Sequence, residues 1–343
     1  MILFGVVVHG GAGSSAHFTD GCKAACESAF NLLEAGRSAL DAVVEAARVL
    51  EDDDRFNAGS GSVLRMDGKT IEMDAAVMDS RGNIGIVIAI RDVKNPILVA
   101  RAVMETPHVA LTGQGATAFA KRRGFAPFHQ VSQKALKQYE RVRQLIKENR
   151  LSELNPRWQG YDVESLWNFD DVSYKDVFSC KTNKSDSGIK GNENNPLSPP
   201  FNSPLSKGGY RGVKSGKGKF SRDTIGAVAI DKDGKLAVAN STGGSSPMML
   251  GRVGDSPIVG CGFYAGSACA VVITGVGEEI IKRMLAKTVY DMIFNGEDVK
   301  TACEKGVNMF PPEIIVGIIA ISRRGYAVMS NTEIANYILV KEE

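Results

Sequence analysis

Few side chains in this sequence are arranged for chemistry, and each familiar hydrolytic arrangement lacks a central piece. A GxSxG elbow is absent, so the glycine-rich His9-Gly10-Gly11-Ala12-Gly13, which resembles an esterase oxyanion loop, has no serine to serve. There is no HExxH pair, and nothing groups His9, His17, His108 and His129 with a serine and an aspartate as a triad would require. Gly216-Lys217-Gly218 lacks the hydroxyl residue and preceding strand of a phosphate loop. The apolar residues 109–112 followed by Gly113-Gln114-Gly115-Ala116-Thr117-Ala118 fit strand, GxGxxA and helix. The acidic ribose partner, due about 20 residues later, would fall in a stretch of helical pattern, so close backbone turning explains these glycines more cheaply than a dinucleotide does.

A stronger pair is Asp223-Thr224-Ile225-Gly226-Ala227-Val228-Ala229 and Asn240-Ser241-Thr242-Gly243-Gly244, two β-like runs around Asp233-Gly234. A two-residue turn would pair residue 224 with 243 and send the two threonines to opposite faces. A three-residue loop, Lys232-Asp233-Gly234 with Gly234 left-handed, pairs 224 with 242 and puts both hydroxyls on one face. Taken alone, the hairpin reads more readily as two β-formers at ordinary strand positions.

The blocks around it change that reading. Downstream come Gly251-Arg252-Val253-Gly254-Asp255-Ser256-Pro257 and Thr274-Gly275-Val276-Gly277-Glu278. Upstream lie His9-Gly10-Gly11-Ala12-Gly13, Phe56-Asn57-Ala58-Gly59, Glu72-Met73-Asp74-Ala75-Ala76-Val77-Met78-Asp79 and Val93-Lys94-Asn95-Pro96. Together they resemble the two subunits of the plant-type asparaginases and isoaspartyl peptidases, N-terminal-nucleophile hydrolases related to glycosylasparaginase. The resemblance spans everything except roughly residues 130–222.

The resemblance implies an α+β fold, a four-layer αββα sandwich forming one structural domain, made as a precursor and cut before Thr224 into residues 1–223 and 224–343. It implies hydrolysis of β-aspartyl peptides and L-asparagine. Thr224 would attack the Asp223 carbonyl, freeing an α-amine that titrates near about 7.7 to 8.0 and can take the hydroxyl proton that histidine takes elsewhere. Thr242 would orient that hydroxyl. Arg252 offers a fork for the substrate α-carboxylate and Asp255 an acceptor for its α-ammonium, with Val253, Gly254, Val276 and Gly277 shaping the turns. Thr274 and the Gly275 amide would form the oxyanion hole. Asn57 would support the site from the other subunit. The backbone carbonyls of Leu50, Glu51, Phe56, Ala58 and Ser60 resemble a structural sodium loop, no catalytic metal or other cofactor being implied, and the assembly would be a dimer of αβ heterodimers.

Three departures bear on substrate choice. Asp223 stands where plant-type members usually have glycine, as in glycosylasparaginase and threonine aspartase. The lysine common before Gly251 is missing from residues 245–250, and Ile334 stands where glycine is usual. Glycosylasparaginase, and a pseudoenzyme that binds through Arg252 and Asp255 without cleaving, remain the alternatives.

The elements that must position these residues are partly legible. An apolar strand is expected at residues 2–8, without the basic flank and cleavage site of a signal peptide. Ser38 should open a helix to about residue 50, with Gly36 ending the one before. A strand is expected at residues 85–90, a helix opening at Pro96, and a charged helix over 131–151. Residues 268–273 read as a strand running into a helix opened by Glu278 and Glu279 and reaching about Phe294. Residues 314–321 and 326–330 read as a closing hairpin. Between about 181 and 222 the Gly, Pro, Ser, Asn and Lys content cannot bury enough apolar surface to offset ordering entropy, which predicts a disordered linker.

Composition sets the partners. With 41 basic and 39 acidic residues the net charge is +2, no field to recruit nucleic acid or an anionic membrane, and a small molecule or short peptide is the expected substrate. No run reaches the roughly 18 apolar residues of a membrane span. The six cysteines form no CxxC pair, which suits a reduced, cytoplasmic protein, and Cys22 and Cys26, one helical turn apart, read as small core residues.

Overall fold

A computed structural model describes residues 1–178 and 224–342; the expected linker and Asp223 lie outside the described residues. The strands are β1 (Ile2–Ala12), β2 (Met73–Asp79), β3 (Ile84–Ile90), β4 (Ala110–Thr112), β5 (Ile225–Ile230), β6 (Leu236–Thr242), β7 (Phe263–Ala265), β8 (Ala270–Gly275), β9 (Val316–Ser322), β10 (Gly325–Ser330) and β11 (Ile334–Glu342). The helices are α1 (Thr19–Glu34), α2 (Ala39–Asp52), α3 (Pro96–Val103), α4 (Gly113–Arg122), α5 (Gln133–Lys147), α6 (Tyr174–Phe178), α7 (Gly277–Ile281), α8 (Leu285–Phe294) and α9 (Val299–Asn308).

The strands form two sheets, a seven-stranded one ordered β11-β1-β5-β6-β2-β3-β4 and a four-stranded one ordered β10-β9-β8-β7, so the fold is α+β. Strands β2, β5, β6 and β9 are buried along their whole length, which explains why they read as nearly unbroken runs of apolar and small residues. Period-two alternation divides their side chains between cores. Ala227 and Ala229 of β5 face a cluster with Val6 and Val8 of β1 and with Cys22, Cys26, Val43 and Ala47 of α1 and α2. Val228 and Ile230 face a second cluster with Val272, Ile319 and Ile321 of the smaller sheet. That sheet's other face, Val271, Ile273 and Ile318, packs on Leu285, Val289 and Cys303 of α8 and α9. Each fully buried Val or Ile contributes about 2 kcal/mol.

Local signals hold where the chemistry is local. The Ser38 Oγ accepts from the Asp41 N–H at 3.1 Å, and Gly36, at φ 78°, closes α1 with its amide on the Leu33 carbonyl. Pro96 opens α3, and the GxGxxA stretch forms β4 and α4 with Gly113 at φ 53°. Cys22 and Cys26 are fully buried core residues.

Two expectations need correction. The helix expected to reach Phe294 is two helices: α7 ends at Ile281, and Met284, at φ 44°, precedes α8. The break is tertiary in origin, since the Ala286 and Lys287 amides donate to the Cys261 and Gly260 carbonyls instead of to a preceding turn. The hairpin β9–β10 forms as expected but does not close the chain. It is followed by β11, which pairs antiparallel with β1 from Ile2↔Glu342 to Ala12↔Ile334.

Candidate active site

The β5–β6 hairpin sets the site. Its register runs from Ile225↔Ser241 to Ile230↔Leu236. The Asp231 amide then donates to the Lys235 carbonyl at 3.0 Å, leaving Lys232, Asp233 and Gly234 as the loop, with Gly234 at φ 72°. The three-residue turn is therefore the one formed, and the register carried one residue further sets Thr224 opposite Thr242. Both are buried, 5% and 3% exposed, and both line a single cleft with Arg252, Asp255, Gly275 and Gly277.

Thr224 Oγ1 lies 3.3 Å from Ser256 Oγ. Thr242 Oγ1 accepts from the Gly244 amide at 3.0 Å, which fixes the rotamer and leaves the hydroxyl hydrogen to donate. Asn57 braces that turn: its Nδ2 donates to the Gly244 carbonyl at 2.6 Å, its own carbonyl accepts from the Gly243 amide at 2.8 Å, and its Oδ1 accepts from Val63 at 3.1 Å.

Arg252 and Asp255 stand together but do not pair. The guanidinium Nε and Nη2 donate to Glu278 Oε1 at 3.0 and 2.8 Å. Asp255 is 3% exposed, and its Oδ2 has no hydrogen-bond partner among the described residues. Burial pushes its carboxyl up to about 7; Arg252 opposes that rise, while Glu278 and Asp74 reinforce it. Burial also pushes up Glu278, but the Arg252 charge and hydrogen bonds outweigh it and hold Glu278 below the usual range. Asp74, itself buried, is raised by burial to about 6 while its Oδ1 accepts from the Ala89 amide. Glycine is required at 277 because a Cβ there would lie 2.8 Å from Asp255 Oδ1 and 3.2 Å from Arg252 Nη2. Gly254 gives the same room to Arg252 Nη1, while Val253 is half-buried and Val276 lines the cleft.

Gly275 sits at φ 144°, tight against the Ile315 carbonyl. That carbonyl accepts from Val276, so by the alternation of an antiparallel ladder the Gly275 N–H points away from β9. Thr274 is fully buried behind it, its Oγ1 accepting from the Ala12 amide at 3.0 Å, which ties the glycine-rich end of β1 to this wall. His9, opposite Gly226 in β1–β5, is held neutral by burial, down to about 3, and its Nδ1 accepts from the Gly11 amide.

The loop after α2 folds its carbonyls inward. The Leu50 and Ala58 carbonyls accept from Asp53 and Gly61, while the Asp54 and Phe56 oxygens crowd the space a Gly61 Cβ would need, and the Glu51 oxygen that of Gly59. The Glu51 side chain is fully buried, takes Ser241 Oγ at 2.6 Å and Ile97 N at 3.0 Å, and is pushed up to about 8 by burial.

Five cleft residues carry no assignment from sequence: Gly244, Ser245, Ser256, Glu278 and Asn155. Ser256 and Glu278 lie inside the recognised blocks, where adjacency gives a signal without a role. Asn155, also lining the cleft, comes from a stretch with no pattern to mark it.

A family model described as Asparaginase matches residues 2–343. The plant-type L-asparaginase of Pyrococcus furiosus is 34% identical over 360 residues, covering 99% of this chain and 97% of that protein. The isoaspartyl peptidase/L-asparaginase of Xenopus laevis is 34% identical over 349 residues, covering 98% and 92%. The isoaspartyl peptidase of Escherichia coli (strain K12) is 34% identical over 345 residues, covering 96% and 90%.

Proposed function

This chain belongs to the asparaginase family and is an amidohydrolase of L-asparagine and isoaspartyl peptides, and from that premise we propose that Thr224, freed as a chain terminus, is its nucleophile. The observation that carries the reading is the hairpin register, which sets Thr224 and Thr242 face to face in the cleft that also holds Arg252 and Asp255.

Maturation begins with the Thr224 hydroxyl attacking the Asp223 carbonyl carbon. The peptide nitrogen leaves with the hydroxyl proton, and water hydrolyses the resulting ester to give residues 1–223 and 224–343. In turnover the new α-amine takes the proton from Oγ1, with Thr242 donating to that oxygen and Ser256 beside it. Arg252 meets the substrate α-carboxylate and Asp255 its α-ammonium. Oγ1 then attacks the side-chain carbonyl, whose oxyanion is met by the Gly275 amide and the Thr274 hydroxyl. The α-ammonium of Thr224 protonates the leaving ammonia or peptide amine, and water releases aspartate from the ester. Asn57 acts by holding the Gly243–Gly244 turn.

The three clusters, with helices outside and two sheets inside, support a four-layer αββα sandwich of the N-terminal-nucleophile kind. The inward carbonyls of residues 50–60 are hard oxygen donors and suit a sodium ion at Leu50, Glu51, Phe56, Ala58 and Ser60, where it would rigidify the loop carrying Asn57. The reading includes a dimer of αβ heterodimers in the cytoplasm, supported there by five free cysteines among the described residues. No described helix is long and apolar enough to cross a membrane.

Thr224→Ala should give a single chain by intact mass and no hydrolysis of a β-aspartyl dipeptide, while Thr224→Ser should still mature, more slowly. Parental turnover by the alanine variant would place the nucleophile elsewhere.

A further inference from the structure

Arg252 and Glu278 both line the cleft, and they meet in an asymmetric way. A guanidinium carries five N–H groups in one plane, with a side edge formed by Nε and Nη2 and an end edge formed by Nη1 and Nη2. Glu278 Oε1 takes the side edge, 3.0 Å from Nε and 2.8 Å from Nη2. Among the described residues no other acceptor meets this guanidinium. The end edge is therefore left for a ligand.

Two glycines show where that edge faces. A Cβ at Gly254 would stand 2.8 Å from Arg252 Nη1, and one at Gly277 would stand 3.2 Å from Nη2 and 2.8 Å from Asp255 Oδ1. Both glycines line the cleft. The end edge thus opens into the cleft beside Asp255, where a carboxylate and an ammonium borne on one carbon can be met together.

Glu278 can hold this orientation because its own place is fixed. Gly277 before it is buried, Ile280 beyond it is fully buried, and the Val276 amide donates to the Ile315 carbonyl at 3.0 Å. Burial works against its charge, but Arg252, its own amide and Arg157 outweigh that and hold it below the usual carboxylate range. An arginine without such a partner would have rotamer freedom to give up when substrate binds.

We propose that Glu278 is a positioning residue of this amidohydrolase: its carboxylate holds Arg252 by the side edge, so that the end edge meets the substrate α-carboxylate beside Asp255. The inference rests on the reading that Arg252 and Asp255 take the substrate head group. Glu278 acts through Arg252 and not on the reacting atoms, so its loss should tell on KM more than on kcat.

The test is a double-mutant cycle on the matured full-length enzyme with L-asparagine. Glu278→Asp keeps the charge but draws the oxygens back by the length of one carbon–carbon bond. KM should rise about three- to tenfold, with kcat within about twofold of the parent. Glu278→Gln keeps an acceptor in place and should fall between the parent and the aspartate variant. In an Arg252→Lys background, where there is no side edge to hold, Glu278→Asp should change kcat/KM by less than about twofold. A parental KM in Glu278→Asp, or the same loss of kcat/KM in both backgrounds, overturns the positioning role. If Arg252→Lys alone keeps the parental KM, the head-group reading falls and this inference with it.

Discussion

Asp255 is buried with an unpartnered oxygen and a carboxyl pushed up to about 7, facing Arg252, Glu278, Asp74 and the Cys261 thiol. In the proposed mechanism the substrate α-ammonium needs the anion. Below pH 7 the group is increasingly neutral, so KM for L-asparagine should rise as pH falls, approaching about tenfold per unit, with kcat less affected. Initial rates between pH 5 and 8 test this, and a flat KM would remove Asp255 from the ammonium contact. The same burial acts on stability with the opposite benefit. A folded value raised above the unfolded one means that stability falls as pH climbs from about 4 to 7, in all by about 4 kcal/mol. Asp255→Asn should therefore lose substrate binding yet melt higher than the parent at pH 8 by calorimetry, and an unchanged Tm would deny the burial cost. Thr224, Thr242, Arg252 and Asp255 are legible because each sits in a contiguous block of distinctive residues. Glu278 is visible in the sequence as a helix-opening acid inside a family block but without a role, since its grip on Arg252 depends on β8 and the 251–257 turn being folded against each other.

At the scale of elements, the β5–β6 turn decides the chemistry. Asp231-Lys232-Asp233-Gly234-Lys235 carries its own turn instructions, so local sequence narrows the hairpin to two registers, one of which pairs 224 with 242. The split between α7 and α8 has no such local signal, because the carbonyls that cap α8 belong to residues 260 and 261. Strand β11 is obscure for a similar reason: its half-buried pattern acquires meaning only beside β1. The start of α7 gives a sharp test. Gly277→Ala would drive a methyl against Asp255 Oδ1 and toward Arg252 Nη2, displacing both ends of the proposed head-group clamp. KM for a β-aspartyl dipeptide should rise by about tenfold or more, with far-UV dichroism unchanged. A parental KM would show that the clamp tolerates the shift.

Across the whole molecule, strands from the two halves of the chain alternate within one sheet. β5 and β6, from beyond residue 224, lie between β1 and β2, and β11 covers the outer edge of β1. The halves 1–223 and 224–343 should therefore elute together after the proposed cut and separate only in denaturant, whereas dissociation in buffer would contradict the interleaving. Neither half alone completes the seven-stranded sheet, although the four-stranded one belongs wholly to 224–343. The uncut precursor can recover from denaturation as a single chain, a first-order process indifferent to concentration. An enzyme cut as proposed would have to find its other half first, a second-order encounter that slows on dilution while unpaired strand edges stay exposed. Thr224→Ala precursor and mature enzyme, unfolded in urea and diluted side by side, should differ in this respect alone: constant yield for the first, and a yield that falls with dilution for the second. The proposed cut would thereby turn a fold that recovers as one chain into one whose recovery depends on how soon two pieces meet.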